Sequence, residues 1–411
     1  MPRDVRMRGF ERRHDVDEVL RLLDARLAPL PAEEVPVDRA AGRVLARGVV
    51  SAVDVPGFDR SAMDGYALRG EETFGATTYA PRAFALRGEA RPGHPFDGSV
   101  GRGEAVRVMT GAPIPAGADA VCRAEVAREE EGGATVLILE PVSPRKNVGA
   151  RGEDVRAGTA LLDAGRRLRP QDAGLCASIG EGRLSVVRRP RVAVLVTGDE
   201  LLPPGETPAG ARIVDSNSRV LAALARRDGA AEVEIERLRD ERALVRERLA
   251  AAAARADVVL VSGGSSVGTE DHAPTLVAEL GELPVHGVAM RPSSPAGVGF
   301  VDCRPVFLVP GNPVSCLCAY EFFAGPAIRR LGGRPMEWPH RRVTLPARRK
   351  LVSQVGRVDY VRVRIVDGAV EPLAVAGASI LSSTVRADGA VVIARDSEGI
   401  EEGGEVEVRL Y

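Results

Sequence analysis

Apolar positions recur at helical spacing near the start of the chain. Val16, Val19, Leu20, Leu23 and Leu27 share one face, and the run stops at Pro29. Asp15 and Glu18 ahead of them read as a capping box. A shorter helix is expected over 39–47. From about Val55 to Ser143 the pattern turns to short apolar runs broken by glycine and proline, with alternation at 105–109 and 134–139. That predicts a β-rich lobe. A helix follows Pro170. From Pro190 the pattern changes again: a continuous apolar strand at 191–196, a helix over 216–226, an alternating strand over 232–238 and an alanine-rich helix over 241–255. Strands at 257–261, 285–290 and 306–309, with helices over 275–280 and 314–330, continue the alternation. It predicts an α/β domain, a doubly wound parallel sheet with helices on both faces. After Gly332, short alternating strands at 341–345, 360–366, 390–394 and 405–410 predict a small all-β, barrel-like C-terminal domain. The expected division is an N-terminal helical and linker domain (1–54 with 144–187), the β-rich lobe (55–143), the doubly wound domain (188–332) and the C-terminal domain (333–411).

A chain of 411 residues exceeds one ordinary domain, in keeping with this multidomain division. Its net charge of −1 argues against a bulk attraction to nucleic acid. No apolar signal core and no stretch of membrane-spanning length is present, so a cytoplasmic protein away from membranes is expected. The five cysteines, at 122, 176, 303, 316 and 318, are scattered, without a CxxC pair or histidine spacing, which suggests neither a disulfide framework nor a zinc site. Lys146 and Lys350 are the only lysines, so arginine carries nearly all the positive charge.

The chemistry lies where strands end. The strand at 257–261 runs directly into Ser262-Gly-Gly-Ser-Ser-Val-Gly268, and Glu270 and Asp271 follow. A loop at the carboxyl edge of a parallel sheet suits a ligand, and glycines there let backbone N–H groups surround a phosphate. The same glycines read equally as a tight strand-to-helix turn. The spacing is neither the Walker phosphate loop nor the dinucleotide GxGxxG pattern. Three other loops carry acids beside glycine: Asp59 and Asp64 in 58–66, Glu153 and Asp154 in 151–154, and Asp199 and Glu200 in 197–201. Any one pair also reads as a helix cap or turn. Together, without histidine or cysteine, they favour a hard cation such as Mg²⁺. Thr110 and Gly111 end another strand, suited to an anion or to a plain turn. Pro310-Gly-Asn-Pro313 opens a helix whose N-terminus would attract an anion, or else simply stops a strand. The histidines are isolated, and no serine nucleophile arrangement is visible.

Six segments in order resemble the molybdopterin molybdenumtransferase family, shared with the E domain of gephyrin: FDRSAMDGYA (58–67), VRVMTGAPIPAGADAV (106–121), GED (152–154), VTGDEL (196–201), SGGSSVG (262–268) and PGNPVS (310–315). The resemblance spans essentially the whole chain. It implies a molybdopterin-binding-type α/β domain in a homodimer, with a site between the doubly wound domain of one subunit and the β-rich lobe of the other. There adenylylated molybdopterin, molybdate and Mg²⁺ would yield Mo-molybdopterin and AMP. Contact with the molybdopterin adenylyltransferase is a further implied partnership. Carried over by position, Asp59 and Thr110 would line the cleft. Asp154, Glu200, Asp240 and Asp271 would bind metal or pterin phosphate, with Asp59, Glu200 and Asp271 catalytic and Glu200 and Asp271 on the metal. Ser262, Gly263, Gly264, Ser265 and Gly268 would hold phosphate, and Pro310 and Pro313 would shape the pocket.

One segment departs from the family pattern. A Lys-Pro-Gly-Lys-Pro stretch with a lysine just upstream, associated with molybdate binding, is here Arg291-Pro-Ser-Ser-Pro295, with Gly287 at the upstream position. Gly149 likewise stands where an arginine is common. Arg357 and Arg362 keep a Gly-Arg…Arg pattern, and Ser379, Ser382 and Ser383 fall in a segment usually richer in Gly-Ser. The first expectation is a molybdenum insertase whose anion site uses arginine and serine, Arg291 and Arg357 among them. The alternative is a paralogue that keeps the pterin-nucleotide site with altered or lost insertion, handling another oxyanion or serving as a binding scaffold.

Overall fold

The computed structural model describes residues 12–264, 272–374 and 377–411. The chain divides into two compact units, one joining the residues up to Glu33 to 187–411 and the other covering Glu34–Val186.

The first unit is built on a six-stranded sheet in the order Glu232–Leu238, Arg191–Thr197, Val258–Ser262, Arg304–Val309, Gly297–Val301, Glu282–His286. The first four strands pair in parallel and the two remaining pairings are antiparallel, so Gly297–Val301 alone runs against the rest. The expected parallel pairing therefore holds for four strands only. Asp302 and Cys303, both at positive φ, close a two-residue hairpin between Gly297–Val301 and Arg304–Val309, and so short a link cannot cross over to a parallel partner. The continuous apolar runs of the central strands reflect burial on both faces. Val192, Val194 and Val196 share one core with the helices Val16–Arg26 and Asn217–Arg227 and the helical stretch that starts at Pro313. Ala193 and Leu195 face Arg242–Arg255 and Ala273–Leu280 on the other side.

The Val16–Arg26 helix thus packs on the α/β sheet rather than with 144–187. Its expected capping box does not form: Asp15 makes no side-chain cap bond, Glu18 pairs with Arg12 (2.9 Å), and Asp15 pairs with Arg395. Nearby arginines outcompete the backbone for these carboxylates.

The single helix expected over 314–330 is broken by a π-helical turn at Tyr320–Ala324. There a charge network is buried. Asp228 accepts hydrogen bonds from Arg227 Nη2 (2.8 Å) and Tyr320 Oη (2.9 Å) and forms an ion pair with Arg329 (2.8 Å). Glu321 accepts from Arg227 (2.7 Å) and stands 3.4 Å from His340. A Cβ on Gly325 would come within 2.9 Å of Asp228 Oδ2, so the network requires glycine there.

The expected strand over 285–290 ends at His286. Met290–Arg291 leaves to join the C-terminal sheet, in the order Met290–Arg291, Val358–Val366, Gly389–Ile393, Glu405–Leu410, Arg342–Pro346, with Ala369–Ala374 also on Val358–Val366. All four C-terminal strands anticipated from alternation are present.

In the second unit, a six-stranded sheet orders Ala120–Arg123, Gly65–Leu68, Glu104–Val108, Arg82–Ala90, Thr135–Ile138 and Ala127–Glu129. This is the β-rich lobe. The helix Pro170–Ser178 packs on a separate core with Leu45, Leu168 and Val186. No helix forms over 39–47: a 3-10 turn at Val37–Arg39 gives way at Gly42, whose φ of +80° ends helical winding, and Val44 and Leu45 bridge to Arg167 and Val186.

Candidate active site

Strands Arg191–Thr197 and Val258–Ser262 end side by side, with Val196 opposite Ser262, so their loops leave from the same carboxyl edge. The loops approach closely. Gly263 holds φ +93°, and a Cβ there would lie 2.3 Å from the Thr197 carbonyl oxygen, so only glycine fits. A cavity of about 550 Å³ opens at this edge. Glu200, Asp240, Ser262, Gly263, Gly264, Pro310 and Pro313, all expected from the sequence, line it. Ser265, Gly268, Glu270 and Asp271 lie outside the described residues.

Glu200 is exposed, and its carboxylate makes no hydrogen bond or ion pair among the described residues, which leaves both oxygens for a ligand. A Cβ on Gly198 would come within 2.6 Å of Glu200 Oε2. Sequence reading missed three further groups around the cavity. Thr197 Oγ1 is buried without a hydrogen-bond partner among the described residues. Asp215 is buried and accepts from the Ser218 N–H (3.0 Å). Asn217 Nδ2 donates to Ser262 Oγ (3.0 Å) and to the Gly311 carbonyl (2.7 Å), tying two cavity loops together. The segment Asp215-Ser-Asn217 begins a helix, and its cap-like residues hid a second task.

The helix N-terminus after Pro310 does not present free donors. Val314 N–H donates to the Ala378 carbonyl (2.9 Å), and Ser315 N–H points to the same oxygen (3.4 Å). An anion there would have to displace this segment, which corrects the expectation drawn from Pro310–Pro313.

A second cavity, of about 560 Å³, shares Pro295, Pro310 and Asn312 with the first. Arg291 and Arg357, the two arginines named from the sequence, line it. Strand pairing of Met290–Arg291 with Val358–Val366 sets Arg291 opposite Asp359. Asp359 is fully buried. Its Oδ2 accepts from Arg291 Nη2 (2.6 Å) and Ser353 Oγ (2.9 Å), and its Oδ1 lies 3.2 Å from Arg357 Nε. One carboxylate thus shares two guanidinium groups. Ser293 and Ser294, where the sequence departs from the family stretch, carry buried hydroxyls without hydrogen-bond partners among the described residues.

Asp59, Thr110 and Asp154 belong to the second unit. Asp59 accepts from Arg145 Nη1 (2.6 Å) and the Arg151 N–H (2.8 Å), and these bonds hold its carboxyl below the usual carboxylate range. Thr110 donates through both N–H (2.7 Å) and hydroxyl (2.9 Å) to Asp64, which is likewise lowered by those bonds. The hydroxyl expected to face a ligand is therefore already engaged. Asp154 is exposed, with no side-chain partner among the described residues. Phe58, Met63 and Met109 on the same loops are also exposed.

No cluster of three or more His, Cys, Asp or Glu side chains positioned to hold a metal occurs among the described residues. Glu200 and Asp240 nevertheless supply hard oxygen donors around one cavity. That fits Mg²⁺, which is commonly held by one or two carboxylates with water and substrate phosphate. All five cysteines are free thiols, and burial raises Cys316, beside Ser262, to about 12, so it does not serve as a thiolate. Among the described residues, no helix is long and apolar enough to cross a membrane.

Three family patterns cover the chain in order: the MoeA N-terminal region (domain I and II) over residues 14–180, a probable molybdopterin binding domain over 193–330, and the MoeA C-terminal region (domain IV) over 344–411. The molybdopterin molybdenumtransferase 2 of Mycobacterium tuberculosis is 38% identical over 339 residues, covering 80% of this chain and 82% of that protein. A molybdopterin molybdenumtransferase of Haemophilus influenzae is 31% identical, covering 93% and 95%. A crystal structure of the molybdopterin biosynthesis MoeA protein from Pyrococcus horikoshii superimposes with a TM-score of 0.79 at 32% identity, covering 97% of this chain and 100% of that one.

Proposed function

Because the chain belongs to the molybdopterin molybdenumtransferase family, with a role in molybdenum cofactor biosynthesis, we propose that it inserts molybdenum from molybdate into adenylylated molybdopterin and releases AMP. One observation carries this reading. Two cavities share a wall of Pro295, Pro310 and Asn312, one lined by carboxylates and loop glycines and the other by arginines and serines. Two reagents, a pterin nucleotide and an oxyanion, need such neighbouring compartments.

Glu200 and Asp240 would hold Mg²⁺, which when bound supplies neutralisation of the phosphoanhydride charge. The Thr197 hydroxyl and the backbone at Gly263 and Gly264 orient the phosphate. Glu200 takes the proton from a water that attacks a phosphoanhydride phosphorus. The bridging P–O bond breaks and AMP leaves with the phosphate of molybdopterin freed, while Arg291 and Arg357 hold the oxyanion against the other side of the shared wall. In a homodimer, Asp59, Thr110 and Asp154 would meet substrate from the second copy. The exposed Phe58, Met63 and Met109 around them are the kind of apolar surface that an assembly covers.

The deciding experiment titrates molybdate into the protein with adenylylated molybdopterin and Mg²⁺, following AMP and incorporated metal together. Coupled appearance of both supports insertion. AMP without metal supports the second reading, a paralogue that has lost insertion, which the sharing of Asp359 by Arg291 and Arg357 favours.

Asn217 positions this machinery. Asn217→Asp keeps the side-chain size and removes both donors to Ser262 and Gly311. Loss of about 1–1.5 kcal/mol of hydrogen bonding should raise KM for the pterin nucleotide roughly tenfold. The molybdate dependence should stay unchanged. Equal losses in every parameter would reduce Asn217 to a general structural role.

A further inference from the structure

We propose that Arg13 and Arg395 complete the oxyanion cavity of this chain and supply the positive charge that Gly287 and Ser294 do not. The inference rests on the reading of that cavity as the oxyanion compartment, and it adds two residues from distant parts of the sequence.

Among the described residues, four guanidinium groups line the cavity: Arg13, Arg291, Arg357 and Arg395. Arg291 and Arg357 share the buried Asp359, so together they offer one unneutralised charge. Arg395 is paired with Asp15, which also lines the cavity. Arg13 has no carboxylate partner among the described residues. Among the described residues, four cations against two carboxylates leave two positive charges, which matches a tetrahedral dianion. Hydrogen-bond donors are also waiting. Ser293 is 3% exposed, its hydroxyl is unpartnered, and its φ of +89° is unusual for a residue other than glycine. Ser294 Oγ is buried and unpartnered as well. Neutral hydroxyls and shared arginines near the Arg291–Pro295 segment are thereby supplemented by cations from the N-terminal segment and the C-terminal domain. Neither arginine falls in any of the six segments that carry the resemblance, so no motif points to them.

The Asp15–Arg395 pair gives the cavity an internal competitor. An arriving oxyanion takes Arg395 from Asp15, so Asp15 weakens anion binding. This yields a change of opposite sign, which misfolding cannot imitate.

The test is calorimetric titration of sodium molybdate alone into the full-length protein, without nucleotide. Arg13→Gln and Arg395→Gln are each expected to weaken binding on the order of tenfold, through loss of a charge-assisted contact. Both should also flatten its salt dependence. Asp15→Asn is expected to tighten binding several-fold, and asparagine remains a good residue for the start of the Val16–Arg26 helix. Unchanged affinity in Arg13→Gln and Arg395→Gln, with weakening only in Arg291→Gln, would overturn the proposal. So would a wild-type protein that binds no molybdate at millimolar concentration. Arginine-dependent binding without metal incorporation in the complete reaction would sustain the inference while removing the insertase reading.

Discussion

Glu200→Gln should lower the rate of AMP release by a factor on the order of 10²–10⁴, the range associated with loss of a general base or of a ligand to a catalytic cation. Glu200 stands exposed at the end of strand Arg191–Thr197 and makes no side-chain hydrogen bond or ion pair among the described residues, so nothing in the fold depends on its charge. Thermal stability should stay within about 0.5 kcal/mol of the parent, as for ordinary exposed substitutions. Molybdate affinity measured without nucleotide should also persist, because Glu200 lines the cavity at the Thr197–Ser262 edge and not the arginine cavity. A variant that releases AMP at the parent rate would move the base elsewhere, with Asp240 and Asp271 the next to examine.

Asp228→Ala should produce the largest loss of stability. Asp228 is fully buried, accepts hydrogen bonds from Arg227 and Tyr320, and is the counter-ion of Arg329. Its removal leaves the guanidinium of Arg329 buried without its counter-ion, a change that costs about 3–5 kcal/mol. Thermal unfolding followed by circular dichroism should therefore shift down by roughly 10 °C, at a few degrees per kcal/mol for a unit of this size. A shift below about 2 °C would mean that water or rearrangement compensates the buried arginine.

The same network confers a pH dependence. Burial alone would raise Glu321, but the His340 and Arg227 contacts outweigh it and bring the carboxyl down to about 2 from an ordinary value of 4.5. The folded value lies below the unfolded one. The resulting stability is fully present above about pH 4.5 and is lost as pH falls through about 2. Glu321→Gln should flatten acid unfolding across that window.

What could be read directly from the chain follows from local rules. The strands at 191–197 and 258–262 declare themselves because burial on both faces demands unbroken apolar runs. The C-terminal strands show because one-sided burial imposes a period of two. Glu200, Ser262 and Gly263 were legible for a related reason: ligands of α/β sheets gather just beyond the carboxyl ends of parallel strands, and those ends are visible in the pattern.

Pairings made across long sequence separations were not legible. Asp359 lies between Arg291 and Arg357 because a two-residue strand, too short for any periodicity, pairs with Val358–Val366. Arg13 and Arg395 reach one cavity although they stand 382 positions apart in sequence number. Asp15 and Glu18 carry the letters of a capping box, yet Arg395, brought near by folding, takes Asp15, while Arg12, six positions away, takes Glu18. By itself, then, the sequence determined the alternation of elements, the loops that bear acids and glycines, and the family. The tertiary structure decided which charges neutralise one another and which remain for a ligand. The physical reason is that hydrophobic periodicity is a local property of the backbone, whereas a charge acquires its role only from the partners that the fold sets within a few ångströms of it.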